Sequence, residues 1–480
     1  MIPHSQNNAF YLIIGRFFQL IYSVISVKIL THSLPVEEVG VYYLVISLIG
    51  FYSVVFISPF GSYFTTKINQ LNNQNNLYSG FLLLFLFSCS CFLLALPSLY
   101  YYLDNAEHHL SFEIIVLILF LDLVFGTLSS FIISSFNMLF YRLRFVLYTN
   151  IVLFIGLIFA IYLTTTIGEI AYNWLFGLML AKLLICIIVL YDFKKVFKCH
   201  FNYSFIFESI FNRKKLTTLS RFCIPLSIAG IAVWAQSHYY RFYITEYFTL
   251  EALALLSIGF AMATNLTLAF ESLVNQYFIP ILYREIASNP QKKDKVYSKT
   301  FNCIVPLYLS FFIFLLYFSP LVLKILTNND YDSAGKYMAW GIGIEFFRVL
   351  LRLFSNVLYL ESKTKIVMYS SIIASVILLF LLFSTVDAVL SNLILIPVYI
   401  LISALISFIM VMYKVNRVTI LNLDYFKFII ISGLSSSVYL FSFYQHDNVF
   451  FDVLEITVAG ISFVAIQFFF NKQLFINKPN

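Results

Sequence analysis

The sequence predicts an all-α polytopic membrane protein with about 14 transmembrane helices: two six-helix lobes around a central cavity, plus two C-terminal helices. Three observations predict it. Of 480 residues, 61% are apolar and 11% charged, against about 25% charged in an ordinary soluble domain. The apolar residues fall in runs of about twenty, the length a helix needs to cross a hydrocarbon core of about 30 Å. The basic residues gather in alternate connections between these runs.

The runs are bounded by charge, Asn or Pro, and each is read as one span. The first seven are Ala9 to Leu30, Val41 to Phe60, Gly80 to Leu103, Phe112 to Phe136, Val146 to Thr166, Ile170 to Tyr191 and Phe222 to Thr245. The rest are Ala252 to Ile279, Phe301 to Leu326, Met338 to Leu360, Ile366 to Thr385, Val389 to Tyr413, Phe428 to Tyr444 and Val449 to Phe470. The first run shows no small-residue cleavage pattern and is expected to remain as a span.

With the N-terminus in the cytoplasm, twenty-two of the thirty basic residues fall in cytoplasmic connections or tails and only Lys336 in an outward loop. Basic residues in short loops are retained on the cytoplasmic side, so both termini are expected inside. The longest connection divides the chain into an N-terminal lobe (1–191), a basic cytoplasmic linker (192–221), a C-terminal lobe (222–413) and two additional helices with a tail (414–480). Short outward loops leave no room for an extramembrane catalytic domain. The positive charge is spread through topology signals rather than gathered into a nucleic-acid patch. The six cysteines have no paired spacing, so no metal or cofactor is expected.

Two turns six spans apart resemble one another. Leu34-Pro35-Val36-Glu37-Glu38-Val39-Gly40-Val41 and Phe248-Thr249-Leu250-Glu251-Ala252-Leu253-Ala254-Leu255 align at an offset of 214 residues. An even number of intervening spans relates the halves by an axis normal to the membrane. Glu37, Glu38 and Glu251 are expected to be solvated turn residues. The first of these turns, with Tyr42 added, and the stretch from Pro225 through Arg241-Phe242-Tyr243-Ile244 together resemble the polysaccharide-repeat-unit flippases of the multidrug/oligosaccharidyl-lipid/polysaccharide exporter superfamily. That resemblance implies movement of an undecaprenyl-diphosphate-linked oligosaccharide from the cytoplasmic to the outer leaflet, for O-antigen, capsule or a related polysaccharide. It also implies work beside a polysaccharide polymerase and a chain-length regulator. Many relatives carry an acidic residue just before the seventh-span Arg, where this chain has Tyr240.

Charges inside the spans identify candidate site residues. A charged side chain at a bilayer centre costs about 2.5 to 3.5 kcal/mol on insertion scales, so such groups should face a wet or paired interior. Arg16, Lys182, Arg241, Arg348 and Arg352 make a candidate cationic lining for the diphosphate, because guanidinium groups donate paired hydrogen bonds to phosphate oxygens. Arg348 and Arg352 lie one turn apart on one helical face. The same residues have a second reading, in which Arg348 pairs with Glu345 and Lys182 with Asp122. Asp122, Glu271 and Glu345 are candidates for ion coupling or charge pairing, and His238 and Tyr239 for sugar contact.

Two rival functions remain at this stage. A drug or metabolite antiporter of the same superfamily would favour an acidic cavity, whereas basic residues outnumber acidic ones within these spans. A membrane O-antigen polymerase or ligase would need a sizeable outward loop, and no phosphate-binding GxxxxGK[ST] motif is present for ATP-driven work. A flippase working by alternating access, with membrane lipid and a polyprenyl-diphosphate-linked oligosaccharide as its partners, fits better than either.

Overall fold

The computed structural model describes residues 7–105, 111–197, 202–203, 205, 212–288, 290–361, 363–436, 458 and 460. The expected fourteenth span and the C-terminal tail lie outside the described residues apart from positions 458 and 460. The chain divides into two compact units, Met1–Ala254 and Leu255–Asn480.

The first unit contains α1 (Asn7–Ser33), α2 (Val36–Tyr52), α3 (Ser58–Asn73), α4 (Leu77–Asn105), α5 (Phe112–Phe120), α6 (Thr127–Met138), α7 (Arg142–Thr166), α8 (Ala171–Phe197) and α9 (Arg213–Tyr247). A π-helical stretch, Ser53–Ile57, joins α2 to α3, and a second, Leu121–Gly126, joins α5 to α6. The second and fourth expected spans are therefore continuous helices, each widened by one π-turn. A π-turn sets the following helix at a new rotation and leaves local backbone groups open to side chains.

The turn before α2 is tightly held. Pro35 caps α2 in extended conformation (φ −56°, ψ 154°), and Glu37 and Glu38 fall in its first turn, where the helix dipole favours negative charge. Glu38 is not a freely solvated turn residue: its carboxylate accepts the backbone N–H of Ala171, at the start of α8, at 2.7 Å. A Cβ added at Gly40 would stand 2.3 Å from the carbonyl oxygen of Leu250. The two similar turns recognised in the sequence therefore touch backbone to backbone, through a contact only glycine permits.

Two apolar clusters hold this unit. One joins Leu48 of α2, Leu99 of α4, Ile118 of α5 and Leu175 of α8. The other packs Phe64 of α3, Phe81 of α4, Phe136 of α6 and Phe193 of α8. Outward, Leu93, Leu94, Ile158 and Ile187 are exposed. Such an apolar exterior suits lipid, where helices satisfy every backbone polar group internally.

The α10 helix (Leu250–Ser288) begins in the first unit and continues into the second. The second unit adds α11 (Lys293–Leu326), α12 (Gly335–Leu360), α13 (Thr364–Ser384), α14 (Val386–Ser391), α15 (Leu395–Asn416) and α16 (Tyr425–Ser436). The α12 helix packs on α11 and α15, and α15 packs on α13. Small residues let α13 and α15 approach closely: Ser403 donates to the Ala374 carbonyl at 2.9 Å, as expected for helices that associate without a hydrophobic driving force.

The protein is thus all-α and multi-pass among its described residues. Eleven described helices are long and apolar enough to cross a membrane. The expected tenth span, α12, has the length at 26 residues but carries Lys336, Glu345, Arg348 and Arg352, and is not one of the eleven. The basic connection is partly helical, since α8 runs to Phe197 and α9 starts at Arg213, capped by the Asn212 side chain.

Candidate functional site

The second unit gathers four candidate charges into one array. On α12, Glu345, Arg348 and Arg352 follow at intervals of three and four, which places them on one helical face. Arg348 donates Nη1 to Glu345 Oε1 at 2.8 Å. Arg352 meets Glu271 of α10 with a two-pronged contact: Nε lies 2.9 and 3.0 Å from the carboxylate oxygens and Nη2 lies 2.7 Å from Oε2. Its Nη2 also stands 3.6 Å from Glu345 Oε2. Thr264 donates to Glu345 Oε1 at 3.2 Å, and Asn275 to Glu271 Oε1 at 3.5 Å.

Charge alternates along this chain of four groups and sums to zero. Burial does not alternate evenly. The carboxylate side chains of Glu345 and Glu271 are 4% and 9% exposed, whereas those of Arg348 and Arg352 are 22% and 40% exposed. Two anions fixed inside hold two cations whose outer faces remain reachable. A guanidinium has five donors in a planar fork, and Arg352 uses no Nη1 hydrogen bond among the described residues. A phosphate oxygen could be met there without first breaking the internal pair.

The first unit treats its three candidate cations differently. Lys182 of α8 pairs with Asp122, which sits in the π-turn between α5 and α6. A Cβ at Gly126 would come 2.9 Å from Asp122 Oδ1 and 3.1 Å from Lys182 Cδ, so this glycine leaves room for the pair. Lys182 and Asp122 border a cavity of about 590 Å³ whose wall includes Ser53, Ser58, Ser62 and Ser130. Both π-turns contribute to that wall, so their rotation brings the hydroxyls and the ion pair together.

Arg241 of α9 is 7% exposed and has no carboxylate partner among the described residues. Its Nη1 donates to Ser47 Oγ at 2.6 Å and to the Tyr43 carbonyl at 3.1 Å, and its Nε to Tyr240 Oη at 3.0 Å. Its guanidinium carbon lies 5.0 Å from the Tyr43 ring centre and 5.5 Å from that of Tyr240. Ring faces stabilise a desolvated cation by about 2 kcal/mol. Tyr240 thus supplies both a hydroxyl and a ring to the Arg241 guanidinium. Arg16, on α1, is exposed and bonds Gln19 at 2.9 Å.

His238 and Tyr239 are both partly buried on α9, with the His238 ring 6.3 Å from that of Trp234. Among the described residues, no cluster of metal-ligating side chains occurs. The partners Ser47, Tyr43 and Thr264 carry no signal in the sequence that would single them out. The contact between Arg352 and Glu271 joins residues 81 positions apart, beyond any helical periodicity.

A family model described as polysaccharide biosynthesis protein matches residues 29–335. No curated protein matches the chain. Several solved structures share the fold. The lipid II flippase MurJ in an inward closed conformation is 14% identical with a TM-score of 0.70, over 98% of this chain and all of that one. A eukaryotic MATE transporter is 13% identical with a TM-score of 0.53, over 89% of this chain and 97% of that one. A transporter of the MOP superfamily from Pyrococcus furiosus is 13% identical with a TM-score of 0.51, over 85% and 94%.

Proposed function

The chain belongs to the polysaccharide biosynthesis protein family, and we propose that it is a flippase that carries an undecaprenyl-diphosphate-linked oligosaccharide repeat unit from the cytoplasmic to the outer leaflet of the bacterial inner membrane. The glycan would serve O-antigen, capsule or a related polysaccharide. The observation that carries this reading is the array of Arg348, Arg352, Glu345 and Glu271, whose carboxylates are buried and whose guanidinium groups are reachable. Such an array receives an anionic head group while staying neutral when empty, which lowers the cost of holding charge inside a membrane protein.

No bond is made or broken in this process. The diphosphate competes with Glu345 and Glu271 for arginine donors, with charge-assisted hydrogen bonds on both sides of the exchange. A carboxylate that gives up its arginine is then open to a proton or a cation, which would couple cargo to an ion gradient; Asp122 offers a similar group in the first unit. The sugars remain in wet surroundings while the polyprenyl tail stays in lipid, and access alternates between the two faces. The bias of basic residues toward alternate connections supports an N-terminus in the cytoplasm. A polymerase and a chain-length regulator would act on the delivered repeat unit.

The test is leaflet-resolved labelling of a fluorescent polyprenyl-diphosphate oligosaccharide in vesicles with and without the full chain. Transfer that requires the chain and is lost in the Arg348→Gln, Arg352→Gln double variant is expected. Transfer unaffected by that double variant would exclude the array as the head-group site, and a new glycosidic bond without leaflet transfer would move the protein to the enzyme class.

A further inference from the structure

The cavity of about 590 Å³ beside Lys182 and Asp122 lies wholly within the first unit. Its wall comes from the first π-turn with the start of α3, the second π-turn with the start of α6, and the middle of α8. Lys182 stands about 16 Å along the axis of α8 from Ala171, at 1.5 Å per residue. The cavity is therefore at mid-depth in the span. Ser53, Ser58, Ser62, Thr65, Thr127 and Ser130 all line it, and hydroxyls at that depth cost free energy unless polar atoms meet them.

The internal hydrogen bonds decide what this wall offers. Ser62 donates to the Ser58 carbonyl at 2.9 Å, Thr65 to the Gly61 carbonyl at 2.8 Å and Ser130 to the Gly126 carbonyl at 2.8 Å, each bonding back one helical turn. A hydroxyl has one proton and two lone pairs, so these three have only acceptor capacity left for a ligand. Asp122 adds carboxylate lone pairs, and its partner Lys182 adds the donors of one ammonium group. Phe131 gives the wall an apolar patch. Its ring lies on α3 at Gly61, where an added Cβ would stand 1.7 Å from the ring's Cζ.

We infer that this cavity is a sugar subsite, which takes a neutral, hydroxyl-rich ring of the lipid-linked cargo. The inference rests on the flippase reading and deepens it by placing the saccharide in the first unit. Acceptors outnumber donors in the wall, and a neutral sugar brings the complementary O–H donors. Its C–H face suits the negative face of the Phe131 ring. The volume falls in the range of about 300–1,000 Å³ typical of small-molecule sites. A bare metal ion instead needs oxygens converging at about 2.0–2.6 Å, and a wall spread around such a volume fits it poorly. A sugar bearing a carboxylate would meet like charge at Asp122. Ser58 and Ser130 are exposed, so the cavity is open on their side to an entering ring.

The experiment uses the full chain in nanodiscs of neutral lipid, with polyprenyl diphosphate, its glucosyl derivative and its glucuronosyl derivative as probes. The wild-type chain is expected to bind the glucosyl probe about tenfold more tightly than the sugar-free one. The double variant Thr65→Val, Ser130→Ala removes two acceptors and leaves the ion pair, and should cut that preference to about twofold with little change in melting temperature. Ser58→Trp, which narrows the opening from an exposed position, should cut it as well. The glucuronosyl probe should gain less than the glucosyl one. A preference that survives both variants, or an equal gain from glucuronate, overturns the inference. Stabilisation by sodium over choline without any sugar preference would assign the cavity to a cation instead. A wild-type chain that transfers the oligosaccharide between leaflets yet shows no preference for the glucosyl probe loses the subsite and keeps the flippase reading. One that neither binds nor transfers any probe loses both.

Discussion

Replacing Arg352 by Gln tests whether the array is a structural pair or a receptor. The substitution removes all three contacts at 2.7 to 3.0 Å and leaves Glu271 with Asn275 at 3.5 Å. Breaking a buried pair from one side costs about 3–5 kcal/mol. The Arg352 side chain is 40% exposed, so water reaches the abandoned carboxylate, and a loss of about 2 kcal/mol is expected after that discount. Glu271→Gln leaves Arg352 still facing Glu345 at 3.6 Å, and should cost about 1 kcal/mol. The double variant removes both charges and should recover most of the Arg352→Gln loss, leaving about 0.5 kcal/mol and giving a coupling energy of about 2.5 kcal/mol. Thermal unfolding in nanodiscs measures the stability cycle, and leaflet transfer of the lipid-linked oligosaccharide measures function. Recovered stability without recovered transfer is the signature of Arg352 acting on cargo. Stability unchanged in Arg352→Gln would refute the pairing, and full transfer in the double variant would refute the receptor role.

Lys182→Met should destabilise the first unit by about 1–2 kcal/mol by stranding Asp122, with Asp122→Asn on the same chain restoring most of it; additive losses in a thermal melt would show that the two are not coupled. Arg241→Met removes two hydrogen bonds and one ring contact that tie α9 to α2, together with a hydrogen bond and a ring contact to Tyr240 on α9 itself, and should cost about 2–3 kcal/mol; an unchanged melting temperature would argue against that tie. Gly40→Ala places a Cβ 2.3 Å from a backbone oxygen that no side-chain rotation can move, so a loss of about 2 kcal/mol or more is expected. Gly126→Ala meets side-chain atoms at 2.9 and 3.1 Å and should cost less, about 1 kcal/mol. Equal losses at the two glycines in the same assay would contradict the difference in rigidity between their surroundings.

Much of the architecture was legible from residue order. The apolar runs mark where helices lie, and the turns around Gly40 and Leu250, alike in sequence, touch one another in the fold. The two π-turns were not legible, because a π-turn adds one residue to a run whose apolar character does not change. The basic connection from Asp192 to Arg221 is helical at both ends, since Lys and Arg are good helix formers once a span supplies the nucleus. Glu38 was expected to be solvated and instead holds the first N–H of α8, an outcome set by which loop lies beside it.

Composition and spacing by themselves determined that the chain lives in lipid, that charges occur inside its helices, and that Arg348 and Glu345 share a face. These are one-dimensional properties: burial in a bilayer scales with the length of an apolar run, and neighbours three or four apart meet on any helix. Only the tertiary structure decided that Arg352 meets Glu271 across 81 residues, and Arg241 meets Ser47 across 194. It also decided that the carboxylates of the array lie inside their guanidinium partners. The rotation of each helix about its own axis governs all three, and that rotation is set by side-chain packing against neighbouring helices rather than by hydropathy.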